Sequence, residues 1–241
     1  VTYDPSVLNF VLVDFKGGGA FKGFEELPHC VDIITNLQGD AVTRMFTAIN
    51  AEVQRRQKLN ADTNTKNIVD YRKKNLHNEG QPYPFLFIII DEFAEMIAER
   101  PEYKAQLESI TRVGRAQGVS LILAAQRPSG VTDQMRSNIK FRICLRVETS
   151  GESREMLRRE DAAFLPSIPG RGYLQVGNDD IELIQVAYTG EKYIDTTRQR
   201  TTVIWPDRGG KYDPSIDQEP PELYRAIVLE LEKLANAHGI P

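Results

Sequence analysis

Apolar residues along this chain fall into two spacings. Apolar-rich runs recur at residues 7–15, 85–90 and 119–125, the second of them unbroken, each bounded by polar, proline or glycine residues, as expected of strands buried on both faces. Between them, Val42, Met45, Phe46, Ile49 and Val53 recur with helical period in a predicted helix over 41–59. Leu107, Ile110 and Val113 do the same in a helix over 104–117 that stops at Gly118. Residues 60–83 are polar, rich in Asn, Lys and Asp, and predict a short helix plus loops. Three later apolar stretches, 141–147, 172–176 and 182–188, are short and close together, which suits an antiparallel hairpin at a sheet edge. Beyond Trp205 the residues Pro206, Gly209, Gly210, Pro214, Pro220 and Pro221 mark a linker, followed by an amphipathic helix over 222–235. Strands alternating with amphipathic helices predict an α/β fold, a mainly parallel sheet covered by helices on both faces, with an antiparallel edge.

The run Phe85-Leu86-Phe87-Ile88-Ile89-Ile90 is followed at once by Asp91 and Glu92. Carboxylates where a buried strand emerges are costly unless a cation or a reacting group uses them. In nucleotide hydrolases the first such carboxylate holds Mg²⁺, directly or through water, and the second polarises the water that attacks the γ-phosphate. A plainer reading makes Asp91 the N-cap of a solvated helix. Asp14 ends the first predicted strand and Gln126 follows the third. In parallel α/β sheets ligands bind beyond the carboxyl ends of the strands, so Asp14, Asp91, Glu92 and Gln126 converge there from three strands.

Composition adds exclusions. The chain has 241 residues, 41% hydrophobic and 27% charged, with net charge −4. No apolar run approaches the roughly 18 residues of a membrane span, and Val1-Thr2-Tyr3-Asp4 is no signal peptide. Cys30 and Cys144 are far apart, and His29, His77 and His238 are scattered, so neither a zinc site nor a disulfide framework is expected. Residues 44–75 carry eight basic against three acidic residues, read as a solvated helix face rather than a nucleic-acid patch.

A nucleotide hydrolase of this type also needs a phosphate cradle, G-x-x-x-x-G-K-[ST], on a strand-to-helix turn. The sequence has none: Gly17-Gly18-Gly19-Ala20 lacks a following Lys-Ser/Thr pair, and Gly210-Lys211 lacks the earlier glycine. Two explanations stay open, a chain cut downstream of its phosphate loop or a domain that has lost the loop and binds partners without hydrolysis.

Several segments resemble the FtsK/SpoIIIE group of hexameric RecA-like ATPases, and within it the first motor domain of the type VII secretion ATPases EccC and EssC. They include Val11-Leu12-Val13-Asp14-Phe15-Lys16-Gly17-Gly18, Glu52-Val53-Gln54-Arg55-Arg56-Gln57 and Ile89-Ile90-Asp91-Glu92-Phe93-Ala94-Glu95. Val113-Gly114-Arg115-Ala116-Gln117-Gly118, Leu123-Ala124-Ala125-Gln126-Arg127-Pro128 and Pro169-Gly170-Arg171-Gly172-Tyr173 belong with them, in the family's order over about residues 7–190. The resemblance implies ATP and Mg²⁺ as cofactors, Asp91 as the magnesium partner, Glu92 as the base and Gln126 as a γ-phosphate sensor. It offers two homes for an arginine finger, Arg44 and Arg115. Lys16 either contacts nucleotide or caps the strand turn, the second reading being favoured.

The resemblance further implies residues 1–204 as the ATPase domain without its phosphate-loop part, and 205–241 as linker and helix toward a following domain. The expected partners are neighbouring ATPase domains, secreted helical-hairpin proteins and a membrane secretion complex. The expected location is the cytoplasmic side of the bacterial inner membrane, in a membrane-anchored parent, the chain itself being soluble. The parent is expected to hydrolyse ATP and the chain alone, lacking the phosphate-loop lysine, to be inactive. A DNA translocase of the same group and a non-catalytic docking domain are the competing readings; the acidic balance argues against DNA.

Overall fold

β-Branched and aromatic residues dominate the apolar runs at 7–15 and 85–90, and these two and the run at 119–125 each form a strand. The computed structural model describes residues 3–16, 19–35, 41–127, 131–178, 180–193 and 221–240. Four parallel strands, β1 (Leu8–Asp14), β2 (Cys30–Ile34), β3 (Phe85–Asp91) and β4 (Val119–Leu123), form one sheet in the order β2-β1-β3-β4. The register pairs Val11 with Ile88, Val13 with Ile90 and Asp14 with Asp91 across β1 and β3, and Ile88 with Leu121 across β3 and β4. Directly paired residues share a face. Val11, Val13, Leu86, Ile88, Ile90 and Val119 therefore line one side of the sheet, where they form the main core.

That core is completed by four helices, α1 (Ala41–Asp62), α4 (Phe93–Glu99), α5 (Tyr103–Val113) and α6 (Asp133–Asn138). Two short helices, α2 (Ile68–Lys73) and α3 (Leu76–Glu79), precede β3. The predicted helical stripe is the one used: Val42, Met45, Phe46, Ile49 and Val53 of α1 are all buried. On the other side of the sheet Phe10 and Phe87 meet at 6.2 Å, Leu12 is buried, and Ile122 of β4 is 45% exposed. α5 passes into a 3₁₀ turn over 114–117, and Gly118 ends it in the left-handed region. A Cβ there would lie 2.5 Å from Ile68 Cδ1, so only glycine fits.

The later strands, β5 (Phe141–Leu145), β6 (Arg171–Val176) and β7 (Asp180–Gln185), are antiparallel as predicted. Among the described residues they make a sheet of their own, in the order β5-β6-β7, rather than an edge of the first. One face packs Cys144, Tyr173 and Ile181 against Leu157, Ala162 and Leu165, under α7 (Ser150–Leu157). Phe141, Ile143 and Leu145 point to the opposite, exposed face.

Two departures from the sequence reading bear on the site. β2 was not predicted: its run is broken by Asp32, it has a single neighbour, and Val31 and Asp32 are exposed. The basic run of 44–75 is also not wholly solvated. Arg56 is 2% exposed, donates to Glu52 Oε1 at 2.7 Å and to the Gln117 carbonyl at 2.8 Å, and lies over the Tyr83 ring at 5.2 Å. It ties α1 to the amino end of β4. The last helix, α8 (Leu223–His238), folds back on the loop before β2, with Tyr224 stacked on Phe24 at 5.5 Å.

Candidate functional site

Because β1, β3 and β4 are parallel and in register, their carboxyl ends lie together. Asp14 and Asp91 are paired residues there. Beyond β4, Ala124 N donates to the Ile90 carbonyl and Phe93 N to the Ala124 carbonyl, tying the start of α4 to the chain just before Gln126. The structure thus brings Asp14, Asp91, Glu92, Lys16 and Gln126 to one end of the sheet.

Each group is held differently. Asp14 is buried, and its Oδ2 accepts from Ala20 N at 2.9 Å, closing the turn that follows β1. Gly17 and Gly18 of that turn lie outside the described residues. Asp91 Oδ1 accepts from Glu92 N at 3.1 Å. Burial pushes the Asp91 carboxyl above the usual carboxylate range, reinforced by the charges of Glu92 and Asp14 and opposed by the Glu92 N–H and by Lys16. Glu92 is 7% exposed and sits in the left-handed region, φ 53° and ψ 40°, at the N-cap of α4. A non-glycine residue there is strained, and such strain concentrates at functional positions. The N-cap of α4 is therefore Glu92 and not Asp91, and its side chain does not bond the helix end.

Lys16 Nζ stands 3.7 Å from Glu92 Oε1 and 3.0 Å from Glu95 Oε1. The hydrogen bond to Glu95 and the charge of Glu92 hold its ammonium above the usual lysine range. Glu95 belongs to this cluster although its residue type alone did not single it out. Its position three residues after Glu92, on the same side of a first helical turn, was the available signal.

Gln126 is exposed beyond β4. The two candidate arginines are both exposed and lie at opposite ends of the sheet. Arg115 is in the 3₁₀ turn before β4, at the amino end. Arg44 is at the start of α1, and Arg56, three turns on, contacts Gln117 at that same amino end. α1 thus runs antiparallel to the strands and Arg44 lies toward the carboxyl ends.

Among the described residues no three His, Cys, Asp or Glu side chains form a metal-binding group. Magnesium bound to nucleotide keeps several waters and takes one or two carboxylates plus phosphate oxygens, and Asp91, crowded by Glu92 and Asp14, is a residue that could hold it. Cys30 and Cys144 are free, each thiol pushed up to about 11 by burial.

The FtsK/SpoIIIE family model matches residues 1–130, which include Asp14, Lys16, Arg44, Asp91, Glu92, Glu95, Arg115 and Gln126. The chain belongs to the FtsK/SpoIIIE family. It is 46% identical over 198 residues to the type VII secretion system protein EssC of Staphylococcus aureus, covering 80% of this chain and 13% of that protein. The structure resembles the cytoplasmic domain of the Thermomonospora curvata type VII secretion ATPase EccC, with TM-score 0.78 and 36% identity over 96% of this chain and 25% of that one. It also resembles the pCW3 conjugation coupling protein TcpA in a form with ATPγS, with TM-score 0.66 and 29% identity over 75% of this chain and 52% of that one. The likeness to EccC establishes the RecA-like ATPase fold and relates the chain to type VII secretion motor domains. The chain spans about an eighth of the EssC length. No helix among the described residues is long and apolar enough to cross a membrane.

Proposed function

We propose that this chain is the catalytic-carboxylate part of an ATPase motor domain that drives or regulates type VII protein export. The observation that carries the reading is Glu92, held strained and nearly buried at the carboxyl end of β3, directly after Asp91, which is itself in register with Asp14. Asp91 would hold the magnesium of Mg·ATP, Glu92 would polarise the attacking water, and Gln126 would sense the γ-phosphate. Magnesium, when bound, neutralises charge on the phosphate oxygens. Glu92 contributes a fixed carboxylate in a position sparsely open to water, where its field is little screened.

The phosphate cradle comes from outside this chain. Among the described residues β4 has a partner on one edge only, and the half-covered face around Ile122 adds to this; both favour a further strand beside β4, whose end would deliver phosphate-binding N–H groups across β4 from Asp91. Residues 1–204 form the ATPase portion and 205–241 the linker and helix toward a following domain. The boundary lies outside the described residues. Arg115, at the far end of the sheet from its own site, serves as a finger only toward a neighbouring domain, whereas Arg44 lies on the site's own side. Neighbouring motor domains in a hexamer, secreted helical-hairpin proteins and a membrane complex at the cytoplasmic side of the bacterial inner membrane are the partners of this reading. A DNA translocase is the weaker reading, given 46% identity to a type VII secretion system protein and a net charge of −4.

The test is Glu92→Gln in the parent protein with its other motor sites disabled. ATP should still bind while hydrolysis slows at least about 10²-fold, the effect of losing a positioned base. Unchanged turnover would leave a docking role as the better account.

A further inference from the structure

Lys16 lies two residues past Asp14, the register partner of Asp91, and the turn that follows β1 brings its ammonium over the first turn of α4. Two carboxylates share it, Glu95 at 3.0 Å and Glu92 at 3.7 Å. The two contacts are unequal. The Glu95 contact is a hydrogen-bonding distance, whereas the Glu92 contact is a longer ion pair. Glu95 therefore anchors the lysine, and the lysine acts on Glu92. Among the described residues no other donor reaches the Glu92 carboxylate, although Glu92 is only 7% exposed. A carboxylate so enclosed is costly unless a countercharge stands beside it.

We propose that Lys16 is a positioning residue for Glu92: anchored on Glu95, it fixes the Glu92 carboxylate at the carboxyl ends of β1 and β3 and supplies its countercharge. This rests on the ATPase reading above. It gives Lys16 a task distinct from holding a phosphate, and it gives Glu95 a task, as the anchor one step removed from the reacting atoms.

The experiment uses the parent protein with its other motor sites disabled, and measures kcat together with equilibrium binding of a fluorescent ATP analogue. Lys16→Met should lower kcat about 10- to 100-fold, the cost of a misplaced catalytic group, while the analogue Kd stays within about twofold. Glu95→Gln should lower kcat in the same direction, and Lys16→Arg should restore most of it. The double variant Lys16→Met with Glu92→Gln should be no slower than Glu92→Gln alone, because residues acting as a unit are not additive. Analogue binding weakened about tenfold or more by Lys16→Met, a loss of about 1.4 kcal/mol, would overturn the proposal and make Lys16 a phosphate ligand. Additive loss in the double variant would overturn it as well. If Glu92→Gln itself leaves turnover intact, the ATPase reading fails and this inference with it. If Glu92→Gln slows hydrolysis and Lys16→Met does not, this inference alone fails.

Discussion

Replacing Glu92 with glycine should make the fold slightly more stable, although it removes the central catalytic group. Glu92 sits at φ 53° and ψ 40°, a conformation that costs an L-residue roughly 1–2 kcal/mol. Glycine escapes that cost but loses more backbone freedom on folding, about 0.5–1 kcal/mol. The net gain from the backbone alone is then about 0.5–1 kcal/mol. Loss of the carboxylate works both ways. The contact with Lys16, whose side chain is 42% exposed, is screened by solvent and contributes little, and release of a nearly buried charge offsets that loss. Alanine isolates the backbone effect, since Glu92→Ala removes the same side-chain contacts and keeps the strain. Scanning calorimetry of the chain should place Glu92→Gly above Glu92→Ala by about 1–4 °C, from 2–4 °C per kcal/mol for a domain of this size. A glycine variant equal to or below the alanine variant would refute the assignment of strain at this position. The strain would then be no part of the reason that α4 starts on a carboxylate.

Two further outcomes follow from the same geometry. Arg56→Ala leaves the buried Gln117 carbonyl without its donor and Glu52 with Arg55 alone, so it should cost about 1–3 kcal/mol, the penalty of a buried acceptor left unpaired. A stability loss of less than about 1 kcal/mol in urea unfolding, with the slope unaltered, would show that Arg55 suffices for Glu52. The second outcome concerns pH. Asp91 is raised in the folded state, so its contribution to stability is present below the unfolded value of about 3.9 and is lost as pH rises through the folded value. At neutral pH its ionised carboxyl is therefore a cost, and Asp91→Asn should be the more stable protein at pH 7. The advantage should shrink as pH falls toward 4. A difference between the two that stays constant with pH would contradict the burial argument.

Much of this site was legible before any fold was known. The runs that became β1, β3 and β4 are long and rich in apolar residues because each has neighbours or packed side chains around most of its length. The helical stripe of α1 was equally plain, since Val42, Met45, Phe46, Ile49 and Val53 all face one core. Asp91 and Glu92 stood out because carboxylates directly after such a strand lack a packing explanation. β2 did not stand out: with Val31 and Asp32 exposed and one strand beside it, its residues are under weaker demand to be apolar. Nor did composition reveal that Arg56 is buried while its neighbours in the same basic run are solvated, because charge type alone does not tell which side of a helix faces the core.

The residues themselves determined the α/β class, the strand ends that carry chemistry and the family to which the chain belongs, since these depend on local patterns of polarity and on motif spacing. Tertiary structure decided the rest. The left-handed conformation of Glu92 depends on how α4 is tied to the end of β4, through Phe93 N and the Ala124 carbonyl. The sharing of Lys16 between Glu92 and Glu95 exists because β1 and β3 pair in a register that sets Asp14 beside Asp91. Both are consequences of contacts between residues dozens of positions apart. No local pattern encodes them, because a backbone strain or an ion pair of this kind is fixed by the packing of whole elements.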